Sequence, residues 1–131
     1  MIRAGIQYFV MVFTVGFLLG TVRAMAVAPR IGEFAAVLLE LPVMLAASWW
    51  ICGWLIQRHG VPARWPARAA MGGVAFTLLM LAEWALALGP LGRSAADQWS
   101  AYATGPGALG LAGQLLFGAF PLLWLATDPP R

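Results

Sequence analysis

Four long runs of apolar residues, separated by three short polar segments, make up this chain. The runs cover residues 5–28, 34–56, 67–88 and 107–126. A helix needs about 20 mostly apolar residues to cross a membrane, and each run has that length. None of them shows the strict alternation of apolar and polar positions that is typical of a membrane-spanning strand. The pattern therefore predicts an all-α fold, an integral membrane four-helix antiparallel bundle, as a single transmembrane domain over residues 1–131.

The first two connections are short. The sequence APRIGE at residues 28–33 predicts a tight turn between the first and second spans. The sequence QRHGVPARWPAR at residues 57–68 separates the second span from the third. Pro66 in this segment suits the first turn of a helix, because that position needs no backbone N–H donor. These connections predict helices that run up and down next to one another.

The third connection is longer and has helical character of its own. Ser94 is followed three residues later by Asp97, a pattern typical of a helix N-terminus. Trp99 and Tyr102 then lie three residues apart, on one face of a helix. We expect a short interfacial helix between spans 3 and 4, and the alternative is a loop without regular structure. Trp65, Trp99 and Tyr102 are the aromatic residues expected at the level of the lipid headgroups.

The composition agrees with a lipid environment. Of the 131 residues 62% are hydrophobic and 10% are charged, and the mean hydropathy is +0.82. A soluble domain has about a quarter charged residues. The lipid bilayer is therefore the expected partner. The arginines flank apolar runs and form no basic stripe, so we expect no nucleic acid partner.

The sequence offers little for catalysis or for cofactor binding. His59 is the only histidine and Cys52 the only cysteine, so a cluster of zinc ligands is missing. The glycines near the start of the fourth run enter a membrane helix and do not form a phosphate-binding turn after a strand. We therefore expect no enzymatic activity, no catalytic residues, no cofactor and no metal.

The arginines predict the orientation of the chain, because the cytoplasmic side of a membrane protein is richer in Lys and Arg. One side carries Arg3, Arg58, Arg64, Arg68 and Arg131, whereas the other carries only Arg30 and Arg93. This places both termini in the cytoplasm, and we expect a bacterial inner membrane. The first apolar run is longer than the core of a signal peptide, so we expect it to be retained.

Each span carries one strongly polar residue at a similar predicted depth. These residues are Arg23, Glu40, Glu83 and Gln114, all a few residues from the end of the span that lies away from the chain termini. Intramembrane ionisable groups are costly, and they usually face the bundle interior or a water-filled cavity. The four side chains are therefore predicted to form one polar layer inside the bundle.

The charges in this layer do not balance. The tight turn between the first two spans makes Arg23 and Glu40 the expected ion pair. Glu83 must then share the arginine, take a proton or hold a cation. The first hypothesis is a site that binds or translocates a proton, a cation or a small polar solute. The alternative is an accessory or scaffold subunit of a membrane complex, in which the layer is only a structural latch. Four helices rarely enclose a pathway, so we expect a homo-oligomer or a membrane-protein partner.

Two prolines lie inside the predicted spans. Pro42 and Pro121 remove one helical hydrogen bond each, and they free the carbonyls of Leu38 and Phe117. Membrane helices tolerate such kinks well. The alternative for Pro42, which is two residues from Glu40, is an opening of the backbone beside the polar layer.

Overall fold

The computed structural model describes residues 2–126, and the regular secondary structure within them is entirely helical. The helices are α1 (Ile2–Ile31), α2 (Glu33–His59), α3 (Trp65–Leu88), α4 (Ala95–Ala101) and α5 (Gly105–Leu123). Four of them are long and apolar enough to span a membrane. The predicted all-α four-span fold is therefore confirmed.

The turn between α1 and α2 is tighter than predicted. α1 continues as a π-helical turn over Arg23–Val27 and a short α-helical segment over Ala28–Ile31. Only Gly32 separates it from α2, with a φ of 90° that side-chain-bearing residues rarely adopt. The hydropathy pattern ended α1 at residue 28 and began α2 at residue 34, because the residues between these positions are partly polar. Glu33 consequently becomes the first residue of α2.

The short helix predicted between the third and fourth spans is present as α4. The Ser94 side chain accepts a hydrogen bond from the Asp97 backbone N–H at 3.0 Å. The Asp97 carboxylate in turn accepts from the Ser94 backbone N–H at 3.3 Å. This reciprocal pair satisfies two of the backbone donors that a helix N-terminus leaves free.

The spanning helices form a ring in the order α1, α2, α5, α3. Glycines allow the closest approaches in this ring. A Cβ added at Gly72 of α3 would lie 2.0 Å from the Gly118 carbonyl oxygen of α5. A Cβ added at Gly5 of α1 would lie 2.8 Å from the Met71 carbonyl oxygen of α3. Small residues thus set the spacing of the helices, as is common in membrane bundles.

The end of the bundle that contains the N-terminus, here the N-terminal end, is closely packed. Its buried side chains come from all four spanning helices and include Tyr8, Cys52, Leu55, Met71, Phe117 and Phe120. The opposite end carries α4 and is called the α4 end. The two ends therefore differ in packing, and the polar layer lies toward the less filled one.

Pro121 lies inside α5, where it offers no backbone N–H to the Phe117 carbonyl. The Phe117 carbonyl, freed by Pro121, accepts a hydrogen bond from the Tyr8 hydroxyl at 2.7 Å. Pro42 is different, because its side chain is exposed and points away from the interior of the bundle. The residue two positions after Glu40 falls on the opposite face of the helix. The opening of the backbone beside the polar layer concerns the Leu38 carbonyl and stays a prediction.

Arg68 corrects the arginine count used for orientation. Its side chain is 1% exposed and lies inside the bundle instead of in the loop. Its Nη1 donates to the Pro121 carbonyl at 3.1 Å, and its Nε donates to the Pro62 carbonyl at 3.2 Å. Arg68 therefore satisfies carbonyls that the end of α5 and the loop before α3 leave without helical partners. Arg131 lies outside the described residues.

We expect Tyr8→Phe to lower the free energy of unfolding by about 1–3 kcal/mol, since it leaves the Phe117 carbonyl buried without a donor. Pro121→Ala restores a backbone N–H that can reach the same carbonyl. Thermal unfolding in detergent of both single variants and the double variant measures the coupling. Tyr8→Phe should cost clearly less in the Pro121→Ala background. Equal losses in the two backgrounds would contradict this role for Tyr8.

Candidate functional site

A cavity of about 1270 Å³ occupies the α4 end of the bundle. All five helices contribute to its wall. All four residues of the predicted polar layer, Arg23, Glu40, Glu83 and Gln114, line it. The structure thus brings together one polar side chain from each spanning helix.

Arg23 is the centre of an ion-pair cluster on one side of the cavity. Its Nε donates to Glu40 Oε2 at 2.5 Å, as expected from the tight turn. Its Nη1 also contacts Glu33 Oε1. Glu33 was not predicted to take part, because the hydropathy pattern placed it in the turn. Arg23 is the first residue of the π-helical turn in α1, a helix irregularity that is often found at functional sites.

Glu83 does not share this arginine. Within the described residues, the ion pairs of Arg23 are with Glu33 and Glu40. Glu83 lies on α3 beside the Gln114 side chain of α5. One oxygen of each, Glu83 Oε2 and Gln114 Oε1, is buried and accepts no hydrogen bond. The second carboxylate at Arg23 is therefore Glu33, and a shared arginine, one of the three options considered for Glu83, is not seen within the described residues.

α4 adds a third buried acceptor to the cavity. Gln98 is 7% exposed, and its Nε2 donates to the Tyr102 hydroxyl at 3.5 Å. Its Oε1 is buried without a hydrogen-bond partner. Trp84 of α3 also donates to the Tyr102 hydroxyl, at 3.2 Å. These contacts hold α4 against α3 at the cavity wall.

The aromatic residues predicted at the interface have different surroundings. Trp65 is 70% exposed at the start of α3, and Trp99 is 67% exposed on α4. Trp99 packs its ring edgewise against Trp84, with ring centroids 5.3 Å apart. Tyr102 contacts Trp99 but also lines the cavity. The position of Trp65, Trp99 and Tyr102 at the level of the lipid headgroups remains a prediction. Tyr102 additionally accepts a hydrogen bond from Trp84 at the cavity wall.

The charged residues that line the cavity are mainly acidic. They are Arg23, Arg93, Glu33, Glu40, Glu83 and Asp97. Four acids thus face two arginines, and Arg23 is already paired with two of the acids. Across residues 2–126 no three His, Cys, Asp or Glu side chains lie together as metal ligands. The cavity therefore offers acceptors and negative charge, without a set of metal ligands.

The three acceptor oxygens define what the cavity can bind. They are Glu83 Oε2, Gln98 Oε1 and Gln114 Oε1. A buried acceptor without a donor is unfavourable, and most such groups in proteins have a partner. A proton, a cation or a solute with N–H or O–H groups would give these oxygens a partner. The structure thus separates two carboxylates that are satisfied by arginine from one that is not.

The site included two residues that the sequence reasoning missed, Glu33 and Gln98. The signal for Glu33 was its spacing from Glu40, because residues seven positions apart share a helix face. Gln98 lies directly before Trp99 in α4, and its position gave no distinct signal. Both line the cavity.

Comparison of the chain with known protein families, characterised proteins and solved structures found no significant match, so its own geometry carries the functional argument.

Proposed function

We propose that this membrane protein binds a proton, a cation or a small polar solute at Glu83, in the cavity at the α4 end. The carrying observation is that Glu83 Oε2 is buried in the cavity wall and has no hydrogen-bond partner within residues 2–126. A charge in that position is expensive unless something neutralises it. The proposal makes the chain a binding or transport protein and not an enzyme.

Arg23, Glu33 and Glu40 have a structural role in this proposal. They join the end of α1 to the start of α2 through two ion pairs. This cluster, called the Arg23 latch below, holds the cavity wall in place and leaves Glu83 free for the ligand. The latch and the binding group are therefore different residues of one polar layer.

The closed N-terminal end sets a condition for transport. Buried side chains such as Tyr8, Leu55 and Phe117 fill the bundle below the cavity. We propose that a solute reaches Glu83 from the α4 end, and it can leave toward the other side only if this packing opens. We propose that release there requires a second conformation, which a homo-oligomer or a membrane-protein partner stabilises.

The proposed orientation places the cavity mouth outside the cytoplasm. Within the described residues the exposed arginines at the N-terminal end are Arg3, Arg58 and Arg64, against Arg30 and Arg93 at the α4 end. This arginine excess favours a cytoplasmic N-terminal end. In a bacterial inner membrane the cavity then opens toward the periplasm.

We expect Glu83→Gln to abolish the response of the purified protein to ligand. For the wild type, thermal unfolding in detergent should shift upward in the presence of a bound cation, because a ligand of the native state stabilises it. Lowering the pH should weaken this shift, because protons compete for an ionised carboxylate. Glu83→Gln keeps the shape of the side chain but removes the charge, so its unfolding should not respond.

The matched control is Glu33→Gln, the same substitution in the same cavity wall. It should keep the full response to cation and pH, since Arg23 retains Glu40 as a partner. A response that survives in Glu83→Gln contradicts the proposal. If neither variant nor wild type responds to pH or cation, the polar layer is only a latch and the accessory-subunit hypothesis is favoured.

A further inference from the structure

We infer that the ligand of this cavity is a protonated amine with several N–H groups, held by Glu83, Gln114 and Gln98. The inference rests on the proposed function and assigns it a chemical class. It is based on the charge of Glu83 and on the unpaired oxygen that each of the three side chains carries.

The first step concerns the unsatisfied atoms. All three are oxygens, and each belongs to a side chain that lines the same cavity. Two come from the neighbouring pair Glu83 and Gln114, and the third is Gln98 Oε1 on α4. A proton on Glu83 supplies a single O–H donor, which can serve one neighbouring oxygen such as Gln114 Oε1, and it leaves at least one amide oxygen without a donor. A ligand with several donors can satisfy more than one of them.

The second step concerns charge. The cavity wall carries more acids than arginines, and Glu83 has no arginine partner within the described residues. A neutral donor such as an alcohol would leave the carboxylate unneutralised. A protonated amine supplies a positive charge together with N–H donors, and charge-assisted hydrogen bonds are stronger than neutral ones.

The third step concerns the remainder of the wall. Apart from these polar groups, much of it is apolar, with Phe13, Phe17, Met44 and Leu111 among its residues. A small metal ion such as Ca²⁺ prefers a shell of about six or more oxygen ligands, whereas the three polar side chains of this site offer three unpaired oxygens. An organic amine can place its ammonium at Glu83 and its carbon skeleton against the apolar wall.

Gln98 gives this site a contact from the short helix. It is more than nine-tenths buried, although α4 has only seven residues. Its Nε2 is directed to the Tyr102 hydroxyl, whereas its buried Oε1 has no partner among the described residues and would gain one from a ligand N–H group that reaches it. Gln98 is therefore a specificity residue that favours ligands with more than one N–H group.

The test compares ligands of equal charge and different donors. Purified protein in an amine-free detergent is titrated with benzylammonium, benzyltrimethylammonium, sodium and potassium, and binding is followed by thermal unfolding. Benzylammonium should bind at least about tenfold more tightly than benzyltrimethylammonium, which has no N–H group, because unmet hydrogen bonds to charged groups weaken binding strongly. Glu83→Gln should remove this binding.

The variant Gln98→Met tests the third contact, since it keeps the length of the side chain and removes the acceptor. Benzylammonium affinity should fall by about tenfold while benzyltrimethylammonium affinity stays unchanged. The control is Gln7→Met, a substitution of an exposed residue at the N-terminal end, and it should change neither affinity.

The outcomes separate this inference from the proposed function. Equal affinity for both benzyl compounds, or a Glu83-dependent response to sodium or potassium alone, overturns the amine inference and leaves the proposed function standing. The lack of any Glu83-dependent response to protons, cations or amines overturns both.

The same amine chemistry occurs in free amines and in phosphatidylethanolamine headgroups. Titrations in phosphatidylcholine nanodiscs, with and without phosphatidylethanolamine, distinguish these sources. Competition by the lipid supports a headgroup ligand, and binding that the lipid does not reduce supports a free amine.

Discussion

Gly72→Ala should prevent this protein from reaching its native packing. An added Cβ would lie 2.0 Å from the Gly118 carbonyl oxygen, which belongs to the backbone of α5 and cannot rotate away. α3 and α5 would have to separate along their contact. Overpacking typically costs about 1–3 kcal/mol, and a clash with backbone belongs at or above the upper end of that range. We expect a large fall in thermal stability and in the yield of folded protein in detergent.

The neighbouring Gly73→Ala is the matched control. No heavy atom lies within 4 Å of a Cβ built at Gly73, so the added methyl group meets open space. Its stability should stay unchanged or rise by up to about 1 kcal/mol, because alanine favours a helix more than glycine does. Similar stability in the two variants, measured by thermal unfolding and size-exclusion chromatography, would contradict the close contact of α3 and α5.

The helices could be predicted from the sequence because each of them depends on a local pattern of residues. Apolar runs of sufficient length predicted the spanning helices, and Ser94 with Asp97 predicted the start of α4. The order of the helices in the ring was not predictable in this way. It depends on which helix faces fit together, such as the approach of Gly72 to Gly118, and glycines occur on many faces of these helices.

The site was predictable only in part. One polar residue in each span indicated a shared layer, and the short turn indicated the pair Arg23 and Glu40. The partner of the second arginine nitrogen was missed, because it depends on α2 starting at Glu33. Arg68 was misplaced for a similar reason. A sequence shows that an arginine lies near a span end, but the carbonyls of Pro62 and Pro121 that hold it inside depend on the tertiary structure.

The division of roles within the polar layer also needed the structure. Equal depth made Glu40 and Glu83 look equivalent in the sequence. Glu40 is an ion-pair partner, whereas Glu83 has only the Gln114 amide beside it and a free buried oxygen. The same residue type therefore stabilises the bundle on α2 and offers a ligand site on α3. Mutations at the two positions should have different consequences.

Arg23→Gln should destabilise the bundle by about 1–3 kcal/mol, because it leaves the part-buried Glu40 carboxylate without its charged partner. Glu40, whose side chain is 17% exposed, would lose its only ion-pair partner in the described structure, whereas the half-exposed Glu33 could be hydrated. Most of the loss should therefore come from Glu40. Thermal unfolding in detergent at neutral pH measures it.

The double variant Arg23→Gln with Glu40→Gln tests that assignment. It removes both charges of this part-buried pair and leaves two amides that can hydrogen-bond, so it should recover most of the lost stability. Arg30→Gln is the control, because Arg30 is exposed near the end of α1. It should change the stability by no more than about 0.5 kcal/mol. If the double variant is as unstable as Arg23→Gln, the loss does not come from an unpaired Glu40, and the latch must act through Glu33 or through the π-helical turn. If the latch is structural, as proposed, the double variant should also retain the Glu83-dependent response to ligand.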